Sequence, residues 1–182
     1  IELETEETLN GLDAAARGAS EGMHLFLNIL AMLIAFIGLV ALVNTTLGWV
    51  GTQFGATSPW TLQSAAGWVL RGPCWLMGVS WSEARIIGEL MGTKTILNEF
   101  VAYVDLSNRM RGPAPGLSDR AFLITTYAMC GFANFGSVAI MIGGVGSIAP
   151  ERRGDLARLG FRSIVAGTLA TMLTGCVVGL FL

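Results

Sequence analysis

The sequence predicts an all-α membrane protein with interfacial helices, spanning helices, a re-entrant helical hairpin and a broken transmembrane helix. Hydrophobic residues make up 53% of the chain and charged residues only 13%, whereas a soluble domain usually has about 25% charged residues. No Asp, Glu, Lys or Arg occurs at 22–70, 121–150 or 163–182, and His24 is the one histidine in these stretches. A spanning helix needs roughly 20 apolar residues, so each of these stretches is long enough to contain one.

The first 82 residues divide into three predicted parts. Residues 9–21 are rich in Ala and suit a short helix at the membrane surface, and residues 24–43 form the clearest spanning helix. Residues 44–82 contain all five tryptophans of the chain. Because indole prefers the headgroup region of a bilayer, we expect one or two interfacial or oblique helices in this third part.

The segment 83–106 is too charged to face lipid throughout, since acidic and basic residues interrupt an otherwise apolar run. Two short helices that meet near Asn98 and Glu99 would make a re-entrant hairpin there. Irregular backbone is tolerated at membrane depth only where protein buries it or water reaches it. The hairpin is therefore expected to lie inside the protein or against a water-filled cavity.

The remaining residues predict a loop, a broken helix and a last helix. The loop 107–120 contains two prolines and two glycines among polar residues. The helix predicted over 120–146 is broken near 131–136, where glycines and an asparagine interrupt the apolar sequence. The last helix covers 156–182 and carries glycine, alanine and threonine at spacings that allow close helix packing.

Glu99 and Asn98 are the first candidate binding residues. A carboxylate in an apolar hairpin is costly and usually marks a substrate or ion pathway. When ionised it accepts two hydrogen bonds from a diol, and the neighbouring amide supplies a donor and an acceptor. The alternative is that Glu99 only neutralises Lys94 in an ion pair.

The break in the long helix supplies three more candidates, Phe132, Asn134 and Ser137. Asn134 and Ser137 are three residues apart and share a helix face, and Phe132 could stack on a flat solute. Transporters bind substrates and ions at helices that are broken near mid-membrane. The alternative is that the glycines serve helix packing and that Asn134 is an interhelical bridge.

Several classes of function have little support in the composition. A net charge of −2 and a pI near 5.4 provide no basic patch for nucleic acid. The three cysteines lack the paired spacing of a metal site, so no metal ligand is predicted. With a single histidine and no catalytic triad or dyad, the chain is not expected to be an enzyme.

Three runs of the sequence resemble the concentrative nucleoside transporter family. The run GTKTILNEFVAY at 92–103 is similar to a pattern of that family, Gly-x-Lys-x-x-x-Asn-Glu-Phe-Val-Ala followed by an aromatic residue. The runs YAMCGFANFGS at 127–137 and GSIAPERRGD at 146–155 resemble two further stretches, in matching order and spacing. The resemblance covers essentially the whole chain.

The resemblance implies a homotrimeric, multi-pass secondary transporter of the cell (inner) membrane, built on an inverted repeat. Residues 1–82 would belong to the scaffold and residues 83–182 to the second repeat of the transport domain. Family roles imply that Glu99 contacts the ribose hydroxyls and that Phe132, Asn134 and Ser137 line the ribose side.

The resemblance also implies partners that lie outside this chain. They are a nucleoside, the lipid bilayer, the N-terminal part of the same transporter and a coupling cation, sodium or proton, bound mainly in the first repeat. No other cofactor is expected. Two rival classes remain, a membrane scaffold or channel subunit and a gate-type membrane protein that moves another solute.

Overall fold

The structure, a computed structural model, describes residues 10–111 and 116–182, without the side chains of residues 28, 29, 32, 33, 36 and 146–148. Within these ranges every regular element is helical, which confirms the predicted all-α class. The helices are α1 (Gly11–Gln53), α2 (Leu62–Leu76), α3 (Trp81–Ile96), α4 (Glu99–Met110), α5 (Asp119–Met129), α6 (Phe135–Ile148) and α7 (Arg153–Leu180). A short 3₁₀ turn at Pro150–Arg152 precedes α7.

Helix α1 is continuous, and it corrects the predicted division between a surface helix at 9–21 and a span at 24–43. It runs for 43 residues, which corresponds to about 65 Å. Asn10 caps its start by accepting from the Leu12 and Asp13 amides at 3.0 and 2.9 Å. Its end is followed by Gly55, whose φ of 74° is the left-handed conformation that favours glycine.

The tryptophan-rich stretch 44–82 is not one unit, because residues 44–53 complete α1 and residues 62–76 form α2. Helix α2 begins at a capping box, in which the side chains of Thr61 and Ser64 each bind the backbone amide of the other residue. It then packs closely and antiparallel against α3. A Cβ atom at Gly88 of α3 would lie only 2.8 Å from the Gly67 carbonyl oxygen of α2. Helix α2 therefore lies against the hairpin.

The predicted hairpin is present as α3 and α4, which meet at Leu97 and Asn98. Its charged side chains are largely paired with one another. The Arg109 guanidinium lies 3.0 Å from Asp105 and 3.3 Å from Glu89. Glu83 accepts from the Ser80 hydroxyl and from the Ser118 amide, each at 2.6 Å. The hairpin thus neutralises most of its charge internally, and its position in the bilayer stays a prediction.

The hydrophobic core lies between α2, α3, α4, α5 and α7. Its fully buried side chains include Cys74, Ile87, Leu90, Met91, Ala102, Ile124 and Met129. Large apolar side chains are exposed on other surfaces, such as Leu169 and Leu173 of α7. Such patches are typical of surfaces that meet lipid or another protein segment.

One helix in the described part of the chain is long and apolar enough to cross a membrane by itself, the stretch Pro150–Leu180.

The broken helix predicted over 120–146 is found as α5 and α6, which are separated by residues 130–134. The last helix begins three residues earlier than predicted, at Arg153. Residues 1–9 of the predicted scaffold segment and the prolines of the predicted 107–120 loop lie outside the described residues.

Candidate functional site

The two interrupted helices meet at the N-termini of their second halves. Asn98 caps α4 by accepting from the Val101 amide at 2.9 Å, and Asn134 caps α6 by accepting from the Ser137 amide at 2.7 Å. A helix N-terminus presents free amide groups and a partial positive charge. Two such ends that converge form an electropositive setting for an acidic side chain or a polar solute.

Glu99 and Asn134 join these N-termini directly. The Asn134 side-chain amide donates to Glu99 Oε2 at 3.1 Å, although the two residues are far apart in the sequence. Asn134 is 2% exposed, and Glu99 is half-buried. The structure therefore brings the side chains of two of the five candidate residues into direct contact.

Ser137 and Phe132 lie on an apolar groove of about 680 Å³ between α6 and α7. Phe132 is 78% exposed, so most of its ring is free to contact a solute. The other lining side chains are mainly apolar, among them Val138, Met141 and Leu159. The groove thus offers a flat apolar surface beside the polar contact between Glu99 and Asn134.

Asn98 differs from the other candidates, because its side-chain oxygen is already used in the helix cap. Its amide nitrogen is the group that remains to bind a solute. Its assignment to the site stays a prediction.

The contacts of Lys94 differ from the alternative in which it forms an ion pair with Glu99. It is fully buried, and its ammonium donates to Thr171 Oγ1 of α7 at 3.1 Å. Within the described residues it forms no ion pair with Glu99 closer than 4.0 Å, although the two charges interact electrostatically. Glu99 is therefore left with Asn134 as its close partner.

The packing alternative for the broken helix is also visible, and it coexists with the polar contact. A Cβ atom at Gly131 would lie 2.5 Å from Thr171 Cγ2, and one at Gly167 would lie 2.9 Å from Ala133 Cβ. The unwound segment 130–134 therefore lies directly on one face of α7. The small residues of α7 were predicted to allow close helix packing. The hydrogen bond between Thr171 and Lys94 was not predicted.

No group of three or more His, Cys, Asp or Glu side chains in the described ranges could hold a metal ion. The fold is helical, and its hairpin tip and broken helix meet at a polar contact, as discontinuous helices do at the binding sites of secondary transporters.

Comparison with known proteins identifies the family. A family model described as the C-terminus of Na⁺-dependent nucleoside transporters matches residues 2–179, and the chain belongs to this family. It is 46% identical over 181 residues to a transporter of Haemophilus influenzae, covering 98% of this chain and 43% of the relative. It is 39% identical over 191 residues to sodium/nucleoside cotransporter 1 of Rattus norvegicus, covering 99% of this chain and 29% of the relative.

Solved structures of CNTnw have the same fold as this chain. A variant of CNTnw in an intermediate state superposes with a TM-score of 0.89 at 43% identity, covering 97% of this chain and 43% of that one. CNTnw in an inward-facing substrate-bound state gives a TM-score of 0.79 at 42% identity, covering 98% and 43%. The chain spans less than half the length of these relatives.

Proposed function

We propose that this chain supplies the ribose-binding side of the substrate site in a secondary active, cation-coupled nucleoside transporter. The observation that carries the proposal is the contact between Glu99 and Asn134 at two converging helix N-termini. A carboxylate, an amide and a hydroxyl supply the acceptors and donors that match the vicinal hydroxyls of a ribose. Glu99 Oε1 has no hydrogen-bond partner among the described residues, so it remains free to accept from a sugar hydroxyl.

The groove next to this contact suits the rest of a nucleoside. Phe132 presents an exposed ring, and Ser137 adds a hydroxyl on the same side. Relatives named sodium/nucleoside cotransporters support the substrate class. Residues in the part of the transporter outside this chain would then supply the nucleobase contacts.

The remaining properties of the transporter are proposed on the same basis. The coupling cation, sodium or proton, would bind mainly outside this chain. The transporter would assemble as a homotrimer with several passes through the cell (inner) membrane, and it would carry out no covalent chemistry. In this proposal, residues 83–182 form the second repeat of the transport domain.

Uptake of radiolabelled uridine by the full-length transporter in proteoliposomes tests the proposed function. Uptake above the external concentration is expected with an inward sodium or proton gradient and not without one. Uptake that only equilibrates under every gradient would favour a channel. An absence of uridine binding and uptake would favour a transporter of another solute.

Glu99 substitutions test the ribose assignment. Glu99→Ala removes both carboxylate oxygens and should reduce uridine affinity at least tenfold, since a buried hydrogen bond to a charged group contributes about 1.5–3 kcal/mol. Glu99→Gln keeps one acceptor and should retain weak binding. Glu151→Ala, which removes an exposed carboxylate next to α7, is the matched control and should bind normally. Normal uridine affinity in a folded Glu99→Ala protein would refute the assignment.

A further inference from the structure

Lys94 and Thr171 complete a closed set of contacts around the candidate site. Glu99 begins α4 at the hairpin tip and binds Asn134 at the start of α6. The unwound segment that leads to Asn134 lies on α7, and Thr171 of α7 binds Lys94 on the other arm of the same hairpin. The contacts thus return to the hairpin from which they start.

Thr171 is the central residue of this set because it touches both the hairpin and the unwound segment 130–134. Its hydroxyl accepts from the Lys94 ammonium, and its methyl group lies against the backbone of Gly131. One turn earlier, Gly167 provides the space for Ala133. Helix α7 therefore supports the unwound segment at two points that lie four residues apart on one face.

The burial of Lys94 indicates that this contact has a specific role. An ammonium group taken out of water is expensive unless it is paired or hydrogen-bonded. Lys94 lies in the last turn of α3, where the helix dipole favours a cation, and Glu99 adds a favourable charge nearby. A structural core at this position would need only an apolar side chain, so the charge is unexplained by packing alone.

We propose that Lys94 and Thr171 are positioning residues of the substrate site, which hold the hairpin tip and the unwound segment on α7 so that Asn134 reaches Glu99. Neither residue needs to touch the substrate, since Lys94 is fully buried. The proposal rests on the proposed function, because it assigns a role in presenting Glu99 and Asn134 to a nucleoside.

The first test compares Thr171→Val with Thr174→Val in the full-length transporter. Both changes replace threonine by an isosteric residue in α7, and both remove a hydroxyl bond to a backbone carbonyl of the same helix. Only Thr171→Val also removes the partner of Lys94. Uridine affinity is expected to fall about fivefold to tenfold in Thr171→Val, as for the loss of one hydrogen bond, and to stay unchanged in Thr174→Val.

Thr171→Ser and Thr171→Ala extend the comparison in case the valine variant does not assemble. The serine variant keeps the hydroxyl and should bind uridine more tightly than the alanine variant. Equal affinities in these two variants would overturn the role of the hydroxyl.

The second test separates positioning from general stability. Thr171→Val is combined with Glu99→Gln, and the affinity loss from Thr171→Val is measured in both backgrounds. If Thr171 acts by positioning Glu99, the loss should be much smaller once Glu99 has been replaced, because coupled residues are not additive. An equal loss in both backgrounds, or an unchanged affinity in Thr171→Val, would overturn the proposal. If the wild-type transporter itself does not bind uridine, the proposed function fails before these variants are compared.

Discussion

At the scale of single residues, Asn134 uses both ends of its side-chain amide. The oxygen caps α6 by accepting from the Ser137 amide, and the nitrogen donates to Glu99. The same residue therefore starts a helix and orients the carboxylate of the candidate site. Alanine would remove both functions at once, so a different substitution is needed to separate them.

Asn134→Asp makes this separation. Aspartate is as good a helix cap as asparagine, but it replaces the donor to Glu99 by a second carboxylate, and like charges repel. Uridine affinity is therefore expected to fall at least tenfold, and the thermal midpoint of the transporter should also fall, because two carboxylates would face each other at a residue that is 2% exposed. Asn10→Asp makes the same change at the cap of α1 and should leave affinity and midpoint unchanged. A normal uridine affinity in Asn134→Asp would show that the contact with Glu99 does not serve binding.

The sequence predicted the helix breaks at which the candidate residues lie, but it did not predict which residues these side chains contact. Glu99 and Asn134 could be proposed from local features, since each polar side chain lies at a break in an apolar stretch. Their mutual contact depends on the packing of α4 against the unwound segment, and no local pattern encodes that packing. The contact of Lys94 with Thr171 was not predicted for the same reason, because the two residues are 77 positions apart in the sequence and meet only through packing.

At the scale of helices, the breaks were predicted and the continuity of α1 was not. Glycine and asparagine near 131–136 and the polar residues near Asn98 mark the interruptions that the structure contains. In α1 the composition changes from Ala-rich and polar to apolar, but a change in polarity alone does not stop a helix. No proline or capping sequence occurs between Gly11 and Gln53, so the two predicted helices are one.

Helices α2 and α3 pack closely against each other. Gly67 and Gly88 allow their backbones to approach, and Ala66 lies directly over Gly92. Small residues permit this distance in membrane helices. The packing places α2 against the hairpin, and the division of the chain into 1–82 and 83–182 stays a prediction.

Gly88→Ala tests the α2–α3 contact. The added methyl group would meet the Gly67 carbonyl oxygen at 2.8 Å, and a backbone atom cannot move aside as a flexible side chain would. Overpacking of this kind costs about 1–3 kcal/mol, so the thermal midpoint of the purified transporter should fall. Gly72→Ala in α2, where nothing lies within 4 Å of the new Cβ, is the control and should be neutral or stabilising. Equal midpoints in the two variants would contradict the close packing.

At the scale of the whole molecule, Arg120 joins three segments that are distant in sequence. Its guanidinium donates to the Gly78 carbonyl at 3.1 Å and to the Gly179 carbonyl at 2.7 Å. The first carbonyl belongs to the turn between α2 and α3, and the second belongs to the last turn of α7. The last carbonyls of a helix have no partner within the helix, and a basic side chain there satisfies one of them. Arg120 thus connects the start of α5 with the turn between α2 and α3 and with the last turn of α7. These contacts lie at the end of the molecule opposite the candidate site.

Arg120→Gln should therefore loosen the assembly of these helices without changing the site itself. Glutamine is too short to reach both carbonyls and carries no charge, so a loss of about 1–2 kcal/mol in stability is expected, and the thermal midpoint should fall. Uridine affinity should change less than twofold, because Asn134, the partner of Glu99, follows the far end of α5, and that end lies about 14 Å from Arg120 along the helix. Arg158→Gln is the control, since Arg158 is exposed and has no hydrogen bond or ion pair with another described residue. Equal thermal midpoints in the two variants would show that Arg120 does not stabilise the packing of these helices. A loss of uridine binding in Arg120→Gln would show that the two ends of the molecule are coupled more tightly than these contacts indicate.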